Sequence, residues 1–206
     1  MRIVKEPEVR RNEILDSAER LFVSKGFEKA TVSDILDDVK IAKGTFYYYF
    51  RSKDDVLDAL VERRIAFLVE KAGEINSSSL PPGQKMLTMI FALKPRNEMQ
   101  KDFNSVLHET DNAKMHQKAL VRSIQCLGPC FAKVINEGIS AGIFNTPYPA
   151  ESAEILLSAA LVLFDDDFFK WTKKEKSLKI AGFLSAMERI LGAKPGNFSE
   201  FSKIFG

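Results

Sequence analysis

The sequence predicts an all-α protein, on three observations. Apolar residues recur at the helical period through almost the whole chain, and no alternating run is long enough for a strand. The interruptions are Gly, Pro and Ser clusters spaced at helix-length intervals. The expected organisation is a small N-terminal three-helix domain, residues 1–53, followed by a larger helical domain, residues 54–206.

Each element has its own signal. Ile14, Leu15, Ala18, Leu21 and Phe22 mark a first helix that Arg10 and Arg11 begin and Gly26 stops. Thr31 and Asp34 form a variant capping box ahead of Val32, Ile35, Leu36 and Val39, the apolar face of a short second helix. A third short helix runs from about Ala42 to Phe50, with Phe46 and Phe50 inward. Ser52 and Asp55 open a long helix to about Ile75, and the Ser- and Pro-rich stretch 76–83 is a loop. Met86, Met89, Ile90 and Leu93 give a helix closed near Pro95, and Phe103, Val106 and Leu107 another from about Asn97 to Thr110. A long helix through Leu120, Leu127, Phe131 and Ile135 ends near Gly142, with a kink expected at Gly128–Pro129. Two last helices are expected from about Ala150 to Trp171 and from Lys174 to Gly192.

Composition narrows the function classes. With 45% hydrophobic and 28% charged residues the chain falls outside disordered and fibrous classes. A net charge of +2 means that any nucleic-acid binding needs charge arranged on one face rather than in bulk. Two cysteines, Cys126 and Cys130, argue against a disulfide scaffold; with no apolar leader and no membrane-length apolar run, the expected location is the cytoplasm. No Gly-rich phosphate loop, nucleophile elbow or carboxylate–histidine cluster is present, so neither an enzyme nor a cofactor is expected. Two cysteines four apart, with His108 and His116 upstream, fall short of a metal set, and no metal is expected.

Three helices in about fifty residues, two of them short and joined by a tight turn, match a helix-turn-helix. In that geometry the third helix enters the major groove. Once Phe46 and Phe50 are turned inward, its outer face keeps Lys43, Thr45, Tyr47, Tyr48 and Tyr49. Tyrosine suits phosphate contact through its hydroxyl and apolar contact with thymine methyls. Gly44 lets the helix approach a duplex closely, while Thr31 and Lys53 stand at helix starts where a phosphate fits. The alternative for the tyrosines is a small aromatic core. Arg10 and Arg11 suit either a solvated face or phosphate contact.

The run Lys43-Gly44-Thr45-Phe46-Tyr47-Tyr48-Tyr49-Phe50-Arg51-Ser52-Lys53 resembles the signature of the tetracycline-repressor (TetR) family of bacterial regulators. Residues 14–22, Lys25-Gly26-Phe27 and 31–35 resemble that family's first two helices. The resemblance implies a homodimer on two operator half-sites, paired through the long C-terminal helices at about residues 150–192, and a small-molecule pocket in the middle helices. It also places Thr31, Lys43, Thr45, Tyr47, Tyr48 and Lys53 at DNA-contacting positions. Candidate effector contacts are Phe67, Met86, Phe91, Phe103, His108 and Phe131, each of which suits ordinary core as well as cavity lining. Such a lining favours a hydrophobic or aromatic effector. Ile155 to Phe164, apolar almost all round, also calls for a partner subunit.

Three departures from the family pattern stand out. Lys40 replaces the usual turn Gly, so a left-handed residue is expected to be missing. Ala42 replaces a capping Ser or Thr, at a cost of about 1 kcal/mol. Asp37 and Asp38 bring negative charge to the DNA-facing end. The expected function is a ligand-responsive repressor. An activator or global regulator on the same fold and a non-DNA helical adaptor that only dimerises are the rivals.

Overall fold

Pro7 opens the first helix, its fixed φ suiting the first helical position, where no N–H is needed. In a computed structural model that describes residues 6–94, 98–108 and 112–198, nine helices follow in order among those residues. They are α1 (Pro7–Lys25), α2 (Val32–Val39), α3 (Lys43–Tyr49), α4 (Lys53–Asn76), α5 (Pro82–Ala92), α6 (Glu98–Leu107), α7 (Ala113–Ser140), α8 (Pro149–Leu163) and α9 (Lys173–Leu191). The expected helix limits Pro95, Asn97 and Thr110 lie outside the described residues. Arg10 and Arg11 fall inside α1 rather than at its start.

The chain packs as two units. Among the described residues, the first falls within Met1–Arg64 and Pro95–Ala119, the second within Ile65–Lys94 and Leu120–Gly206. Their boundary thus falls within α4. The sequence puts its domain division at residue 53, at the start of that same helix.

In the first unit, α1 packs on α2 and α6, and α2 on α3. Ile14, Leu15, Ala18, Phe22, Ile35, Phe46 and Val56 are wholly buried. Arg63 on α4 reaches back to α1, pairing with Asp16 at 2.6 Å and Glu19 at 2.7 Å.

In the second unit, Leu127, Phe131, Val134 and Ile135 of α7 share one core with Met86, Leu87 and Ile90 of α5 and with the inner faces of α8 and α9. α7 continues through Pro129, and Leu127 and Phe131 on either side of it are almost fully buried. Lys85, only 4% exposed, donates to the Asn76 carbonyl at the end of α4 and to both carboxylate oxygens of Glu137. That satisfies a cation which burial alone would penalise.

The helix expected from Ala150 to Trp171 stops at Leu163. Asp165 accepts the N–H groups of Asp167 at 2.9 Å and Phe168 at 3.4 Å, an Asx-type turn that competes with helix. Trp171 Nε1 donates to the Leu163 carbonyl at 3.2 Å, satisfying an acceptor that the ended helix leaves open. A capping box between Thr172 and Glu175 then starts α9.

Candidate nucleic-acid interface

The helix-turn-helix is built as its residues dictate. Thr31 caps α2 through the expected box: its Oγ1 accepts the Asp34 N–H at 3.1 Å, while Asp34 Oδ2 accepts the Thr31 N–H at 2.9 Å. Lys25 joins at 2.7 Å from Asp34 Oδ1. The carboxyl of Asp34 is accordingly lowered from 3.8 to about 2, chiefly by Lys25, then by the backbone and hydroxyl of Thr31. The Thr31 hydroxyl also donates to Asp34 Oδ2 at 2.9 Å, so contact with a phosphate requires it to exchange that bond.

The turn corrects one expectation. Lys40 adopts the left-handed conformation itself, with φ 56° and ψ 51°, and the Ile41 N–H closes on the Leu36 carbonyl at 3.1 Å. No Gly is needed for the geometry, although a side chain there carries strain.

α3 separates its two faces sharply. Phe46 is fully buried and Phe50 is 2% exposed, whereas Tyr47 is 48% and Tyr48 77% exposed. Lys43 and Gly44 are exposed, Thr45 and Tyr49 half-buried. Lys43 Nζ lies 5.8 Å from the centre of the Tyr47 ring, one helical turn on, and Tyr48 meets Tyr49 edge to face at 4.9 Å. A Cβ added at Gly44 would have nothing within 4 Å, so packing inside this chain does not require glycine there. Ala42 caps α3 without a side-chain bond, as its methyl dictates.

The surrounding charges are partly paired. Arg20 meets Asp38 at 2.8 Å. The Asp38 carboxyl sits below its ordinary value, held there first by the Ser17 hydroxyl and then by Arg20. Arg10 pairs with Glu13 at 2.7 Å, and the Arg11 guanidinium stacks over Phe50 at 5.1 Å. Lys53, placed by the sequence at a phosphate, instead directs its ammonium to the α1–α2 turn. It donates to the carbonyls of Phe27 at 2.6 Å and Glu28 at 3.2 Å. That destination was not legible, since Phe27 and Glu28 lie 26 and 25 residues away in the sequence.

The candidate effector residues fall in both units. Met86 and Phe131 lie in the core of the second unit with Phe67 packed against it, and Phe91 is half-buried beneath Lys94. Phe103 and His108 belong to the first unit, where His108 lies 4.1 Å from the His116 ring. Cys126 and Cys130 are free thiols. Burial pushes the Cys130 thiol up, disfavouring the thiolate that metal binding needs.

Comparison with known proteins places this geometry. Residues 14–60 match the family described as "Bacterial regulatory proteins, tetR family", and residues 96–186 match "Tetracyclin repressor-like, C-terminal domain". An uncharacterized HTH-type transcriptional regulator of Bacillus subtilis, YhgD, is 24% identical over 85% of this chain and 92% of its own length. The transcriptional repressor KstR2 of Rhodococcus jostii is 38% identical over 34% of this chain and 35% of its own. Among solved structures, RolR in complex with resorcinol superposes with a TM-score of 0.66 at 16% identity, over 95% of this chain and 94% of RolR. The reduced form of NemR from E. coli superposes with a TM-score of 0.62 at 17% identity, over 90% of this chain and 99% of NemR. These superpositions establish a shared fold. The two family matches together take in about two thirds of the sequence, in the family's own order from DNA-binding to C-terminal domain. The chain belongs to the TetR family of DNA-binding transcriptional regulators, which are not enzymes.

Proposed function

We propose that this regulator is a homodimeric repressor that grips a near-palindromic operator through α3 and releases it when a small apolar molecule binds the C-terminal unit. Membership of the family brings operator DNA and a small-molecule effector as partners. The sign of regulation, the dimer and the chemistry of the effector go beyond it. The observation that carries the DNA contact is the opposite burial of neighbours on α3, with Phe46 inside and Tyr47 and Tyr48 in water. Exposed aromatic rings next to a lysine make a poor solvent surface and a good groove surface. Lys43, Gly44, Thr45, Tyr47, Tyr48 and Tyr49 form the contacting set, with Thr31 at its flank and residues 1–53 as the DNA-binding domain.

A dimer is supported by what α8 and α9 leave uncovered. Ile155 and Val162 on α8 and Leu178 on α9 are 56%, 40% and 65% exposed, and Ala181, Gly182 and Ala186 extend the outward face of α9. Pairing two copies through these helices removes that apolar surface from water and sets two recognition helices about 34 Å apart, one turn of DNA. Phe67, Met86, Phe91 and Phe131 are the residues proposed to receive the effector. RolR, similar in fold, was solved with resorcinol, a small aromatic, which favours that class here. Release is a population shift, so the effector must bind the non-operator shape more tightly.

The test is fluorescence anisotropy on a labelled duplex from the DNA upstream of the gene, together with transcript levels in a deletion strain. The reading requires tight binding that weakens steeply with salt. It also requires raised transcription of the neighbouring gene when the regulator is absent. A fall in that transcript would make the protein an activator, and no preference for any duplex would leave only dimerisation.

A further inference from the structure

Lys53 stands at the start of α4, where the family pattern puts a phosphate contact, yet its ammonium is occupied inside the protein. Besides its bonds to the Phe27 and Glu28 carbonyls, Nζ lies 4.2 Å from the centre of the Phe27 ring, within cation–π range. Two of its three N–H donors are engaged, and the aromatic face attracts the remaining charge. The anchor is rigid, since Phe27 is only 3% exposed and its ring meets that of Phe22 edge-on at 5.0 Å. The bond from residue 53 to residue 27 spans the chain segment that contains all of α2 and α3. It therefore joins the two ends of the helix-turn-helix.

We propose that Lys53 is a positioning residue for DNA binding: its ammonium clasps residues 27 and 28 to the start of α4, and so fixes α2 and α3 for groove contact instead of neutralising a phosphate. The proposal rests on the reading of α3 as the DNA-contacting helix. Clasping works without loss of charge on DNA binding, because the cation keeps its internal partners in the complex. A direct phosphate contact would have to give up two carbonyls and a ring face.

Salt dependence separates the two roles. Each phosphate neutralised contributes about 0.9 to the slope of log affinity against log salt, whereas a clasp contributes none. The experiment measures anisotropy on a duplex that the full-length protein selects from a random pool, at several salt concentrations and well below the melting temperature of each variant. Lys53→Met, Lys53→Arg and Phe27→Leu are compared with the wild type and with Lys43→Ala. The expected result is a loss of roughly tenfold or more for Lys53→Met with the slope unchanged, a weaker loss of the same kind for Phe27→Leu, and recovery of most affinity in Lys53→Arg. A merely stabilising role would lower the melting temperature while leaving affinity intact under folded conditions, and that result overturns the proposal. So does a slope reduced by about one unit in Lys53→Met with Phe27→Leu neutral, which identifies a phosphate contact. Should Lys53→Met fail to fold, Phe27→Leu and Lys53→Arg decide alone. A wild type that selects no duplex removes the parent reading and this proposal together; a wild type that binds while Lys53→Met loses slope removes only the proposal.

Discussion

Arg20 Nη2 lies 2.8 Å from Asp38 Oδ2, joining α1 to the end of α2 that leads into the turn before α3. The pair screens one of the two aspartates that the sequence puts beside α3, the helix proposed to face DNA. Arg20→Gln should therefore weaken operator binding severalfold at low salt, with the difference closing as salt rises and the Debye length falls below about 10 Å. Thermal stability should barely change, because an exposed ion pair contributes about 0–1 kcal/mol. Anisotropy and circular-dichroism melts on the same variant check both halves.

The Thr31–Asp34 box gives the first unit an acid response. The Asp34 carboxyl titrates at about 2 when folded and at its ordinary 3.8 otherwise, so on acidification the unfolded chain takes the proton first. The stabilisation is complete above about pH 4 and disappears as the pH falls through 2. Asp34→Asn should flatten the change in melting temperature between pH 5 and pH 2. Thr31→Ala should cost about 1 kcal/mol at neutral pH through loss of the cap.

Lys40 holds the one left-handed non-glycine backbone among the described residues. Lys40→Gly should stabilise the protein by about 0.5–1 kcal/mol, relief of strain slightly outweighing the added freedom of the unfolded chain. Lys40→Val should do the reverse, since a β-branched residue resists that conformation. Chemical denaturation of the three proteins orders them.

Much of the fold was legible because its signals are local. Thr31 with Asp34, Gly26 and the inward Phe46 and Phe50 each act within a few residues, and each element they predicted is present. The early end of α8 was not read, because the apolar period runs on past Leu163. What stops the helix is the choice of the Asp165 carboxylate for local N–H groups, reinforced by the reach of Trp171 back across eight residues. The left-handed Lys40 was missed for a related reason: the turn is imposed by packing on both sides and tolerates a residue that local preference disfavours. The candidate DNA face was legible as a pattern of rings and spacings. The destination of Lys53 was not, since Phe27 and Glu28 are 26 and 25 residues away and only the fold brings them together.

Substitution at Gly44 would separate stability from the proposed DNA contact. Open space around an added Cβ means that Gly44→Ala should keep the fold and raise helix stability by up to about 1 kcal/mol. If the helix lies close against DNA, the same methyl should lower operator affinity roughly tenfold, about 1.4 kcal/mol. Melting and anisotropy moving in opposite directions is the expected outcome.

Leu178, 65% exposed on α9, is the most open of the large apolar residues on the proposed dimer face. Leu178→Glu should shift the protein from dimer to monomer in sedimentation at micromolar concentration and weaken operator binding in proportion, because one head alone engages a half-site.

The most direct trial of the central claim is chemical labelling of the tyrosines with and without DNA. Tetranitromethane should modify Tyr48 and Tyr47 readily in the free protein, and a saturating operator duplex should shield both while a mutated duplex does not. Equal nitration of the two rings in free protein and operator complex would contradict the account, for it would leave the outer face of α3 in water while the DNA is bound.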